Sequence, residues 1–90
     1  MKLIIGDIGN TTTKICLVKV NNLQVKKIIY FNSKDIYKKN LLIKNLKKVI
    51  KNKKINKIAL FSSVVPKYNL RLKKILRKFY KIILIEIKEK

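Results

Sequence analysis

KLIIGDIGNTTTKICLVKV, residues Lys2 to Val20, is the stretch on which the fold turns. Its first part, KLIIGDIG, is a short and almost continuous apolar run ending at Gly9, the pattern of a central strand. Its second part, TTTKICLVKV, is rich in β-branched residues and apolar on both faces, so it too predicts a strand inside a sheet. Between them, Gly6 to Lys14 admits two readings. Gly9-Asn10 closes a hairpin with Asp7 hydrogen-bonded to the turn, or the same residues cradle a phosphate. Gly-Asn permits positive φ, and backbone amides after such a turn converge into an anion-binding nest. Threonine hydroxyls add donors that do not repel phosphate, and Lys14 adds a charge. An acid beside phosphate makes sense when a cation lies between them, as hydrated Mg²⁺ does.

Further along the chain, Asn21-Asn22 is a turn signal and LQVKKIIYF a third strand, so three strands form an antiparallel meander. The period then changes. From Ser33 as N-cap, Ile36, Leu42, Ile43, Leu46, Val49 and Ile50 share one helical face, with Lys44, Lys48 and Lys51 opposite, and the helix ends in the KNKKIN run. KIALFSSVV is a buried strand. Pro66 suits the first turn of a second helix, which places Tyr68, Leu72, Ile75, Leu76 and Phe79 on one face. Lys67, Arg71, Lys74 and Lys78 lie on the other. KIILIEI is a last strand and KEK a frayed end.

The order β-β-β-α-β-α-β, a meander followed by two right-handed crossovers, predicts a mixed five-stranded sheet. The first strand is central: Leu3–Asp7 pairs antiparallel with Thr13–Val20 and parallel with Ile58–Phe61. This is the α/β half-domain of the ribonuclease-H-like, actin-like ATPase fold. It places the first hairpin at the carboxyl end of the first strand, where ligands collect in mixed α/β sheets.

Ninety residues make one small domain with one core. The net charge of +20 invites a polyanionic partner. The kind of basicity opposes that reading, because only Arg71 and Arg77 among the 24 basic residues carry the better phosphate fork. Lys, Ile and Asn make up 47 of the 90 residues, and all three have A/T-rich codons, so a biased genome accounts for the composition. A Lys-rich nucleic-acid- or ribosome-associated module is the alternative function, but no base-reading motif is present. Exposed aromatics for base stacking are not expected either, since Tyr68 and Phe79 fall on the apolar helix face. Cys16 is alone inside an apolar strand, a buried thiol with no histidine to activate it. No apolar run approaches a membrane span and no signal-peptide pattern opens the chain, so a cytoplasmic protein is expected.

Two segments also carry a family resemblance. IIGDIGNTTTK resembles the first phosphate motif of the type III pantothenate kinases, an apolar strand ending in Asp-x-Gly-Asn-Thr/Ser. FSSVVP, Phe61 to Pro66, resembles the Ser-Ser-Val-Val-Pro segment of the same family. The resemblance implies an ATP-dependent kinase that phosphorylates pantothenate in coenzyme A synthesis, built from two actin-like halves, with Mg²⁺ and a monovalent cation (K⁺ or NH₄⁺) as cofactors. Carried onto this chain, Asp7, Ile8, Gly9, Asn10, Thr11, Thr12, Thr13 and Lys14 form the ATP-phosphate loop. In it Asp7 acts through the metal, Gly9 allows close approach, and Asn10, Thr11 and Thr12 contact phosphate.

The chain departs from the family in length. The Gly-Ala-Asp-Arg-like motif with the catalytic acid/base, the second phosphate motif and the monovalent-cation ligand all lack counterparts, and Asp35, Glu86 and Glu89 have no matching context. The expectation is a single N-terminal half-domain without a catalytic residue. It is an N-terminal fragment, one part of a split gene or a decaying remnant. The expected partners are ATP and pantothenate, with a separately encoded C-terminal half or a homodimer as the candidate protein partner, and no specific nucleic acid and no membrane.

Overall fold

The computed structural model describes residues 1–51 and 54–88. Strands β1 (Lys2–Ile8), β2 (Thr12–Lys19) and β3 (Val25–Asn32) lead through a 3-10 turn (Ser33–Tyr37) into α1 (Lys39–Val49). Then come β4 (Ile55–Ser63), α2 (Pro66–Tyr80) and β5 (Ile83–Glu86). The sheet order is β3-β2-β1-β4-β5, so the first strand is central as its apolar run predicts. β1 runs antiparallel to β2 and parallel to β4, and β5 is parallel to β4.

Alternation along the strands assigns each residue a face. Ile4, Gly6 and Ile8 of β1, Ile15 and Leu17 of β2, and Ala59 and Phe61 of β4 point to one side. There they join Leu42, Leu46 and Val49 of α1 and Leu72, Ile75 and Leu76 of α2 in a single core cluster. Both helices therefore cover the same face, as two successive right-handed crossovers toward the same edge require. Gly6 has a packing reason. It stands opposite Phe61 in the β1–β4 register, and a Cβ there would run into the buried Phe61 ring.

Several sequence expectations are corrected. Ser33 does not cap a helix; it begins the 3-10 turn, is fully buried, and spends its hydroxyl elsewhere. α1 starts six residues later, at Lys39, behind Lys38, whose amide bonds the Asp35 carbonyl and whose ammonium lies 3.6 Å from the Asp35 carboxylate. The helix ends at Val49, before the KNKKIN run, of which residues 52 and 53 lie outside the described residues, as does most of the KEK end. Phe79 leaves the core face: it is 41% exposed, with the Lys39 and Lys78 ammonium groups 5.1 and 5.6 Å from its ring centre. Tyr30 and Tyr37 are exposed as well, so the chain does present surface aromatics. Finally, β5 begins at Ile83 because Lys81 adopts φ 55, a left-handed C-cap whose amide reaches Arg77 and Leu76, with the Ile82 amide also on Leu76.

Candidate functional site

The hairpin between β1 and β2 projects at the carboxyl end of the central strand, and a residue distant in sequence braces its base. The Ser33 hydroxyl donates to the Gly9 carbonyl at 2.7 Å and lies 2.8 Å from the Thr13 hydroxyl. A serine has one hydroxyl proton, so Thr13 is the donor in that pair. The Ser33 amide bonds the Thr11 carbonyl at 2.8 Å, and the Gly9 amide bonds the Thr12 carbonyl at 3.0 Å. Residues 9, 11 and 13 are thus each held by the segment that leaves β3.

Glycine at position 9 answers to space rather than to dihedral freedom. No glycine has positive φ, and among the described non-glycine residues only Leu23 and Lys81 do. The positive-φ turn expected at Gly9-Asn10, and the αL type of amide nest that depends on it, do not form. A Cβ on Gly9 would instead meet the Thr12 carbonyl oxygen at 2.9 Å.

The expected site residues divide by exposure. Asp7, Asn10, Thr11, Thr12 and Lys14 are exposed and Gly9 is half-buried. Ile8 and Thr13 are fully buried, Ile8 in the core and Thr13 in the Ser33 network. The five exposed residues cluster at the tip and rim of the hairpin; Ile8 and Thr13 support it from below.

Asp7 is set apart by its side chain. It lies on the sheet face opposite the helices, between Lys14 of β2 and Ser62 of β4 in register. Among the described residues, no hydrogen bond or ion pair engages its carboxylate; the ion pair present joins Lys38 to Asp35. Of the two readings, the one in which Asp7 is hydrogen-bonded to the turn is not met; Ser33 braces the turn instead. An exposed carboxylate beside a braced, hydroxyl-bearing turn suits a hydrated divalent cation shared with phosphate oxygens, which needs one or two protein carboxylates. The described residues hold no group of three or more His, Cys, Asp or Glu, so a cation enclosed by protein ligands alone does not fit.

Sequence reasoning left the Ser62–Pro66 segment without a chemical role, and the structure gives each part a place. Ser62 is exposed beside Asp7. The Ser63 hydroxyl bonds both the amide and the carbonyl of Val65, at 3.1 and 3.0 Å, and the Val64 amide bonds the Ile8 carbonyl at 3.1 Å. Pro66 opens α2. A depression of about 340 Å³ is lined by Ser62, Ser63, Val64, Glu86, Ile87 and Lys88 at the ends of β4 and β5. Asn69 of α2 holds the Glu86 carboxylate at its margin, 2.7 Å away. Ser33 is the residue missed entirely. A serine at the end of a strand reads as a helix cap, and nothing local marks a bond to a loop 24 positions away.

The family model for type III pantothenate kinase matches residues 3–90. The chain belongs to the type III pantothenate kinase family. A type III pantothenate kinase of Pelagibacter ubique (strain HTCC1062) is 47% identical over 90 residues, which cover 97% of this chain and 34% of that protein. The chain thus spans about a third of the length of the curated pantothenate kinase it matches. Among solved structures, a Ppx/GppA family member and the PPX-GPPA enzyme, both of Aquifex aeolicus, align with TM-scores of 0.52 and 0.55. Identity is 14% and 15%, over 97% of this chain and 35% and 36% of theirs. At that identity the likeness shows the fold alone, the actin-like, ribonuclease-H-like arrangement that the strand order predicts. No helix among the described residues of this pantothenate kinase family member is long and apolar enough to cross a membrane.

Proposed function

We propose that this chain supplies the ATP-phosphate loop of a pantothenate kinase, the enzyme that transfers the terminal phosphoryl group of ATP to pantothenate in coenzyme A synthesis. The observation that carries the reading is the Asp7 carboxylate, exposed and unengaged at the end of the central strand beside a turn braced from elsewhere. A residue kept only to shape a turn spends its oxygens on that turn. Asp7 keeps them available, in the place where an acid repels phosphate unless a cation intervenes.

In this reading Asn10, Thr11 and Thr12 offer amide and side-chain donors to the phosphates, Lys14 adds positive charge, and Ile8, Gly9 and Thr13 hold the loop's shape. Mg²⁺, held through Asp7, supplies charge neutralisation at the transferring group. The monovalent cation site, the base that orients the acceptor hydroxyl and the pantothenate pocket belong to the remaining length of the kinase. The 90 residues act as one half-domain, one wall of a cleft. Phosphoryl transfer requires donor and acceptor to be positioned together, so this chain alone is expected to have no turnover.

The test is Asp7→Asn in the complete kinase assembled with the remaining length. The substitution keeps size and removes charge, and kcat should fall by about 100-fold or more with the circular dichroism spectrum unchanged. Turnover near that of the unmodified enzyme would return Asp7 to a purely structural role. A coupled ADP-release assay on the purified 90-residue chain checks the second half of the reading. Pantothenate-dependent turnover there would mean that the catalytic residues lie within it.

A further inference from the structure

The helix layer carries a strip of rings and cations that the phosphate loop does not use. Tyr37 of the 3-10 turn packs on Tyr68 of α2 with ring centres 5.5 Å apart, and the Lys67 ammonium lies 5.8 Å from the Tyr68 ring. Phe79, eleven residues further along α2, carries the Lys39 and Lys78 ammonium groups. Eleven residues are close to three helical turns, so Tyr68 and Phe79 face the same way, about 16 Å apart at 1.5 Å per residue. Arg71 stands between them as the i+3 neighbour of Tyr68, with Lys78 two turns further on its own side. Its Nε is buried without a hydrogen-bond partner, and among the described residues no ion pair engages its guanidinium. Tyr37 and Phe79 are 50% and 41% exposed, so neither ring is spent on the core.

We propose that this strip binds single-stranded nucleic acid without reading its sequence. Tyr37, backed by Tyr68, and Phe79 stack bases, while Lys39, Lys67, Arg71 and Lys78 hold phosphates. Rings alternating with cations suit a single strand, because every base has a π-face and every linkage a negative charge. At about 3.4 Å per stacked nucleotide, the ~16 Å between the two ring groups takes roughly five. Cation–π contacts are weak at exposed sites. A base therefore displaces an ammonium from its ring, and the freed ammonium turns to the adjoining phosphate. The acid of the 3-10 turn does not oppose the strand, since the Lys38 ammonium lies 3.6 Å from the Asp35 carboxylate.

The net charge of +20 attracts any polyanion, and a biased genome accounts for the number of lysines. It does not account for exposed rings set among them. An acidic peptide would satisfy the cations and leave the rings in water. A duplex would offer the rings only bases that are already stacked on one another. The inference rests on the helix layer and not on how Asp7 is used, so the fate of either reading leaves the other standing.

The test titrates the 90-residue chain into a fluorescein-labelled oligouridine of about twelve nucleotides, within the usual site size of single-strand binders, and follows anisotropy at physiological salt. An RNA duplex of the same length and a poly-glutamate of the same charge are titrated beside it. Oligouridine should bind at least ~10-fold more tightly than either. Tyr37→Leu and Phe79→Leu keep an apolar side chain and remove the ring. Each should weaken oligouridine binding by about 10-fold and leave poly-glutamate binding unchanged. Arg71→Gln should lower the slope of log affinity against log salt by about one. Lys39→Glu should weaken oligouridine binding by about 10-fold. Lys26→Glu, the same change of charge at an exposed position of β3, should weaken it by less than about 2-fold. Tyr37, Lys39 and Phe79 are exposed, so the circular dichroism spectrum should not change in these variants. The proposal is overturned if poly-glutamate or the duplex binds as tightly as oligouridine, or if the leucine variants bind it normally. It is equally overturned if Lys26→Glu weakens binding as much as Lys39→Glu, which would assign the binding to net charge alone.

Discussion

The two hairpin turns of the meander are built on opposite plans. The β2–β3 turn is closed by its own residues: the Lys19 amide bonds the Gln24 carbonyl at 2.8 Å, and the Gln24 amide bonds the Asn22 side chain at 3.1 Å. It even tolerates Leu23 at φ 56, a conformation that costs a leucine roughly 1 kcal/mol. The β1–β2 turn has no residue at positive φ; beyond its own bond from the Gly9 amide to the Thr12 carbonyl, it is braced by Ser33, on the far side of β3. A turn that only reverses the chain can look after itself. Bracing from Ser33 leaves the exposed side chains of Asp7, Asn10, Thr11 and Thr12 uncommitted, which is what the proposed phosphate role asks of them.

That contrast can be broken from either side. The largest effect is expected from Ser33→Ala, which leaves the Gly9 carbonyl and the Thr13 hydroxyl without their shared partner. Stability should fall by about 3 kcal/mol, the cost of stranding buried polar groups. In thermal unfolding followed by circular dichroism, a chain of this size should then melt roughly 15 °C lower. Gly9→Ala comes next, since its Cβ must push the Thr12 carbonyl aside; a loss of about 2 kcal/mol is expected in urea titration. A Gly9→Ala melt within a degree of the unmodified chain would show that the turn is more yielding than its contacts imply. The smallest effect lies at the other turn and has the opposite sign. Leu23→Gly relieves the left-handed strain and should raise stability by up to ~1 kcal/mol, less the added freedom of the unfolded chain. Destabilisation there would mean that the β2–β3 turn is also held by contacts of the Leu23 side chain.

What could be read from sequence and what could not follow the same division. Strand order and the central position of β1 were legible because apolar periodicity and crossover handedness are local or rule-bound. Asp7, Gly9 and the threonines stood out as a cluster for the same reason: they are contiguous. Gly6 has its partner in Phe61 and Gly9 has its brace in Ser33, and both pairings join residues far apart in sequence, where no periodicity leads from one to the other. Phe79 was misplaced because helical periodicity sees only its own helix, whereas Lys39 of α1 draws the ring outward.

The bracing of the first turn also has a consequence for the order in which the chain folds. Every partner in that network lies at or before Ser33, within a meander whose pairings join neighbouring strands. The β1–β4 pairing, by contrast, brings Ile4 beside Ala59 and must first close a loop containing all of α1. Contacts near in sequence form early because they close short loops, and parallel pairings wait. The turn that carries Asn10, Thr11 and Thr12 therefore acquires its shape with the meander, before the parallel half of the sheet closes beside it.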